Sequence, residues 1–140
     1  QAVFAELDAH RVQYEGMLLK PNMVIAGKKC PRQAGIQEVA EATLRCLRRT
    51  VPAAVPGIVF LSGGQSAEDA TDHLNAMNAM GPQPWEVSFS YGRALQAPVL
   101  ATWQGQEDNV TAAQTALMNR CHLNGLARAG KYSRSMESAA

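Results

Sequence analysis

Residues 57–66 read Gly57-Ile58-Val59-Phe60-Leu61-Ser62-Gly63-Gly64-Gln65-Ser66. An unbroken apolar run bounded by Pro56 on one side and two glycines on the other predicts a short strand buried on both faces. Ser66 is a good helix N-cap, and Glu68 and Asp69 supply carboxylates to the first turn, where the positive end of the helix favours them. A helix to about Met80 follows, with Ala70, Leu74 and Met77 on one face, and Gly81-Pro82 stops it. The segment therefore reads as strand, glycine turn, helix.

The same unit recurs on both sides as a pattern, without sequence repetition. Upstream, residues 17–25 form an apolar run interrupted by Lys20-Pro21-Asn22, read as a buried strand with an unusual end. A loop with Gly27, Lys28, Lys29 and Pro31 leads to a helix over 33–50, where Ile36, Val39, Ala40, Thr43, Leu44 and Leu47 recur at helical spacing. Arg45, Arg48 and Arg49 form its polar end, which suits the negative pole of a helix C-terminus. Residues 1–12 read as the end of a further helix. Downstream, Trp85 to Phe89 is a third strand, running into Ser90-Tyr91-Gly92-Arg93 and a helix from about Ala94, with Pro98 in its first turn or at a kink. A long helix from about Glu107 to Ala129 is expected to bury Val110, Ala113, Leu117 and Cys121. Residues 1–130 are thus one α/β unit, and the serine-rich stretch 131–140 is expected to be a mobile tail.

Three apolar strands joined by helices imply an α/β fold with parallel strands covered on their faces. In such folds function sits at the carboxyl ends of the strands. All three unusual segments fall there: Lys20, then Ser62-Gly63-Gly64, then Ser90, Gly92 and Arg93. The 140 residues, 46% hydrophobic and 18% charged, suit one globular domain. A net charge of +1 gives no footprint for nucleic acid or an anionic membrane. No apolar run approaches the roughly 18 residues of a membrane span. Three dispersed cysteines, without CxxC or Cys/His spacing, favour neither a zinc site nor disulfides, and a reducing compartment is the default. The three histidines stand alone and read as structural or surface residues. Without an initiator methionine, the chain is expected to begin inside a longer protein.

The two glycine segments place backbone N–H groups and a helix N-terminus at each strand end, a geometry that favours anions. Arg93 adds a bidentate cation suited to phosphate oxygens, and Ser62 and Ser90 add hydroxyls. Tight turns with Arg93 paired to a surface carboxylate would use the same residues. Lys20 at the mouth of apolar strands would lose hydration, which favours the neutral amine. A neutral amine attacks a ketone or aldehyde to form a Schiff base. A lysine that reaches solvent or pairs with a carboxylate is the plainer alternative. Leu61-Ser62-Gly63-Gly64-Gln65 also matches the signature of ABC transporter ATPases. No G-x-x-x-x-G-K-[ST] loop accompanies it and it follows directly on a strand, so it is read as a coincidence.

Glu15-Gly16-Met17-Leu18-Leu19-Lys20-Pro21-Asn22-Met23-Val24 resembles the Schiff-base segment of class I fructose-1,6-bisphosphate aldolases. Arg48-Arg49-Thr50-Val51-Pro52, the run from Val55 to Ser66, Phe89-Ser90-Tyr91-Gly92-Arg93-Ala94-Leu95-Gln96 and Gly130-Lys131-Tyr132 resemble later stretches of that family in the same order. The resemblance implies the last three strand–helix units of a (β/α)8 TIM barrel. It implies Lys20 as the Schiff-base lysine, and Ser62, Gly63, Gly64, Ser90, Gly92 and Arg93 as holders of substrate phosphate. The implied reaction is reversible cleavage of fructose 1,6-bisphosphate into dihydroxyacetone phosphate and glyceraldehyde 3-phosphate, a glycolytic and gluconeogenic step. No metal or cofactor is implied, because the imine is itself the electron sink. The implied partners are a sugar phosphate, the remainder of the barrel and further copies in a homotetramer, in the cytoplasm or a plastid, with no nucleic acid or membrane. A complete barrel takes about 250 residues, so a fragment is expected. The family's acid/base carboxylates and its terminal tyrosine have no counterpart here, and Tyr132 is not that tyrosine. Isolated turnover is expected to be negligible. A phosphosugar-binding or interaction remnant without catalysis is the alternative.

Overall fold

The computed structural model describes residues 1–139. Three parallel strands lie side by side: β1 (Leu18–Leu19), β2 (Gly57–Phe60) and β3 (Glu86–Phe89), with β2 in the centre. Leu18 pairs with Gly57 and Gly57 with Glu86, while Phe60 pairs with Phe89. At Gly57 a Cβ would lie 3.0 Å from Cδ2 of the exposed Leu18 side chain, which is free to move aside. Pairing continues past the strand ends: Leu61 N–H donates to the Pro21 carbonyl at 3.0 Å and Ser90 N–H to that of Phe60 at 2.9 Å. All three loops that follow the strands are thus held together at one end.

The helices are α1 (Ala2–Ala9), α2 (Ile36–Thr50), α3 (Ala67–Ala79), α4 (Arg93–Trp103) and α5 (Val110–Arg128). Their placement follows the expected signals closely. The Ser66 hydroxyl accepts from the Asp69 N–H at 3.0 Å and caps α3. Pro98 lies inside α4. Ile58, Phe60 and Val87 point to one face of the sheet and share a single buried cluster with Leu44, Leu74, Met77 and Leu123. The α2 stripe (Val39, Ala40, Thr43, Leu44, Leu47) is buried as its periodicity predicts. At the end of the sheet away from the three loops, Trp85 Nε1–H donates to the Pro52 carbonyl at 2.9 Å. None of the described helices is long and apolar enough to cross a membrane.

Two expectations change. The run 17–25 is not one buried strand. Only Leu18 and Leu19 pair, and Leu18 is 61% exposed. Pro21 has no N–H to donate to a ladder, and beyond it the chain turns toward α2, where Val24 N–H donates to Thr43 Oγ1 at 2.9 Å and Met23 enters the core. The second change is the face of α5. Leu117 and Cys121 are exposed, and the helix buries Ala113, Arg120, Leu123, Asn124 and Ala127 instead.

Of the stretch 131–140, Ala140 lies outside the described residues. The part 131–139 lies against α3 and α5. Tyr132 is buried, its N–H donates to Asn75 Oδ1 at 3.0 Å, and its hydroxyl donates to Glu137 at 2.8 Å. Arg134 pairs with Asp69 and Asp72 of α3 at 3.1 and 3.0 Å.

Candidate functional site

Each strand end delivers one element of the site. Lys20 follows β1 and is exposed, against the expectation of a dehydrated amine. The reason is structural: β1 is an edge strand, and Lys20 stands on the sheet face opposite the helices. Across the central strand, its Nζ donates to Ser90 Oγ at 3.1 Å. The parallel register makes this contact, because Lys20 and Ser90 continue the alternation that sends Leu18, Val59 and Ser88 to the same side.

The Ser62–Ser66 turn follows β2. Ser62 is buried, and its Oγ accepts the Ala94 N–H at 3.3 Å, so this hydroxyl ties the second loop to the first turn of α4. The Gly63 carbonyl accepts from Asn22 Nδ2 at 3.4 Å, linking the first loop to the second. Gly64 has φ +83°, a conformation that L side chains rarely adopt. Gly92 is the N-cap of α4, and its carbonyl accepts the N–H groups of Leu95 and Gln96 at 3.0 and 2.9 Å. Arg93 begins that helix and is exposed.

These residues fall into two groups. Lys20 and Ser90 meet on the open face of the sheet. Arg93 and Gly64 line a groove of about 600 Å³ between the N-terminal ends of α3 and α4, together with Lys28, Ser66 and Ala97. Ser62, through Ala94, and Asn22, through Gly63, connect the groups. The groove offers two cations, Lys28 and Arg93, and one carboxylate, Glu68, beside two helix N-termini, a net positive balance that favours anions. No group of three or more metal-ligating side chains occurs among the described residues.

Sequence reasoning left Lys28 as an ordinary loop residue, although the Gly27-Lys28-Lys29 run was the available signal. Asn22 was quoted only as a neighbour of Lys20. The His73–Gln65 pair was missed. His73 is buried, and its Nδ1 lies 2.7 Å from Gln65 Oε1. With the amide oxygen facing the ring, the contact is made by a proton on Nδ1, and the reversed amide would pair with the other tautomer. Burial pushes the His73 pKa below its ordinary value, and the Asp69 carboxylate opposes the shift. Gln65 is thereby braced against the second turn of α3, which fixes the end of the glycine turn.

Comparison with known proteins places this geometry. The model of the class-I fructose-bisphosphate aldolase family matches residues 1–140. The fructose-bisphosphate aldolase of Plasmodium falciparum (isolate K1 / Thailand) is 56% identical over 130 residues, covering 93% of this chain and 36% of that protein. Aldolase C of Rattus norvegicus is 53% identical over 140 residues, covering 99% of this chain and 39% of its own length. A crystal structure of the Plasmodium falciparum aldolase, in complex with TRAP and a small-molecule inhibitor, superposes with a TM-score of 0.91 at 56% identity, covering 94% of this chain and 38% of that one. The chain therefore spans little more than a third of the length of the relatives it matches, and its sheet corresponds to part of their TIM barrel. With the family model matching from end to end, and 94% of the chain aligning with a solved relative at 56% identity, the chain belongs to the class-I fructose-bisphosphate aldolases.

Proposed function

We propose that this chain carries the Schiff-base lysine and one phosphate-binding end of a fructose-1,6-bisphosphate aldolase. The observation that supports this best is the Lys20 Nζ to Ser90 Oγ contact of 3.1 Å at the carboxyl ends of parallel strands, beside two glycine turns. In the reaction, Lys20 as free amine attacks the ketone carbon, and loss of water leaves a protonated imine. The bond between the third and fourth sugar carbons then breaks. Its electron pair moves into the imine to give an enamine, and the proton of the fourth-carbon hydroxyl passes to a base. Glyceraldehyde 3-phosphate leaves. Protonation of the enamine and hydrolysis release dihydroxyacetone phosphate and regenerate the amine. No residue of this chain is assigned as that base. Ser90 orients the amine. Ser62, Gly63, Gly64, Ser90, Gly92 and Arg93 are proposed to hold the substrate phosphate through backbone N–H groups, hydroxyls and the guanidinium. The same reading makes the assembled enzyme a homotetramer acting in the cytoplasm or a plastid.

The test is reductive trapping. Dihydroxyacetone phosphate with borohydride should leave a stable adduct that peptide mass spectrometry maps to Lys20, and Lys20→Met should abolish it. Aldol cleavage by the 140-residue chain itself should be negligible. Reversible phosphosugar binding with no adduct would instead support a non-catalytic binding remnant, and adduct formation undiminished in Lys20→Met would remove Lys20 from its role.

A further inference from the structure

The segment 131–139 does more than cover the surface. Arg120 of α5 is buried, with its side chain only 5% exposed, and Glu137 meets it with both carboxylate oxygens, at 2.7 and 2.5 Å. The other arm of the guanidinium donates to the carbonyl of Ala67 at 3.1 Å and to Thr71 Oγ1 at 2.6 Å. Ala67 is the first residue of α3, directly after the Ser62–Ser66 turn. Tyr132 donates its hydroxyl to the same Glu137 carboxylate. Arg134 grips Asp69 and Asp72 one turn further along α3. Gln65, within the turn, is braced by His73 of the same helix. A continuous path of hydrogen bonds therefore runs from Glu137 to the start of α3 and so to the glycine turn.

We infer that Glu137 and Arg120 are positioning residues for the Ser62–Gly64 turn: docking of 131–139 sets the backbone of that turn, and anion binding there and docking of the segment favour each other. The physical ground is asymmetry. Arg120 loses its hydration in the fold, and Glu137 is the carboxylate that compensates it. When the segment leaves, the guanidinium keeps only a carbonyl and a hydroxyl as partners. It is then driven to move toward water, and its hold on Ala67 and Thr71 goes with it. Linkage makes the coupling reciprocal, so a ligand that orders the turn tightens the segment by the same factor. The inference rests on the phosphate reading only for the identity of the ligand.

Hydrogen–deuterium exchange by mass spectrometry on the 140-residue chain tests both parts, with variants compared at matched concentration and association state. Without ligand, Glu137→Ala should speed exchange in 132–137 and also, by about fivefold, in 62–70, while the β2 amides of Gly57–Phe60 stay protected. Tyr132→Phe, which keeps the packing and removes one hydrogen bond to Glu137, should act in the same direction more weakly. Glu38→Ala, which breaks the exposed pair with Arg32, should change neither segment. Titration of wild type with inorganic phosphate should slow exchange in both 62–69 and 132–137, with a higher midpoint in Glu137→Ala. Release of 132–137 with unchanged exchange in 62–70 would overturn the positioning role. If β2 also loses protection in Glu137→Ala, Tyr132→Phe decides by the same criterion. If wild type does not respond to phosphate at all, the phosphate reading fails, and the ligand-free comparison still decides the clamp.

Discussion

His73 shows how one side chain joins burial, titration and the site. Its lowered pKa means that the unfolded chain takes up a proton at a higher pH than the folded one. The stability it contributes is full above the ordinary value of 6.5 and is lost as pH falls below that value toward the lowered one. Asp72 acts with the opposite sign at lower pH, because burial pushes its carboxyl up against the pull of Arg134. The cleaner measurement is therefore a variant. His73→Gln should flatten the loss of urea resistance between neutral and mildly acidic pH, and an unchanged slope would show that other groups set it. None of this was legible in the sequence, where His73 is one isolated histidine among three. Lys20 was legible as a residue but not in its surroundings. The apolar neighbours suggested burial, yet burial depends on what stands over the strand, and a sequence pattern carries no such information. Ser62 was read as a phosphate donor; its oxygen here accepts the α4 N–H of Ala94, which leaves the hydroxyl proton free to donate.

At the scale of elements, periodicity worked where the buried stripe is apolar. In α2 and α3 every residue named from spacing is at least partly buried. It failed on α5, whose buried stripe includes Arg120 and Asn124. A scan for apolar spacing passes over such positions and selects Leu117 and Cys121, on the wrong face. The polar residues are tolerated because they are paired: Asn124 accepts from Thr71 at 3.1 Å and donates to the Arg120 carbonyl at 2.9 Å. The junction after α5 has its own constraint. Gly130 has φ +66°, and a Cβ there would lie 3.3 Å from the Ala79 nitrogen and 3.4 Å from its Cα. Gly81 has φ +92° with nothing within 4 Å. Gly81→Ala should cost about 1 kcal/mol for its backbone conformation alone. Gly130→Ala should cost that and more, about 2–3 kcal/mol, because backbone atoms cannot step aside. Denaturant unfolding of the two variants measures the difference, and equal costs would mean that the contact with α3 relaxes freely.

For the whole molecule, the α/β class, the parallel order and the clustering of unusual residues at one end were all legible, because strand–helix alternation dictates them. The limits of the sheet have consequences of their own. Among the described residues β1 and β3 are both edges, and the face that carries Leu18, Val59 and Lys20 has none of the described helices over it. Unpaired strand edges beside exposed apolar side chains invite further pairing. Size-exclusion chromatography should show the 140-residue chain self-associating, and addition of the complementary part of an aldolase barrel should reduce this. A sharp monomer peak with a cooperative melt would count against it. The parallel register also divides labour between the two ends of the sheet. One end gathers Lys20, the Ser62–Gly64 turn and Gly92, whose backbone torsions and hydrogen bonds serve the site. The other end holds Trp85 fastened to Pro52, with nothing in it assigned to chemistry. Under the proposed function, selection for a changed substrate would act on the first set of loops while the second preserves the scaffold, so drift in specificity and drift in foldability would be separable along one chain.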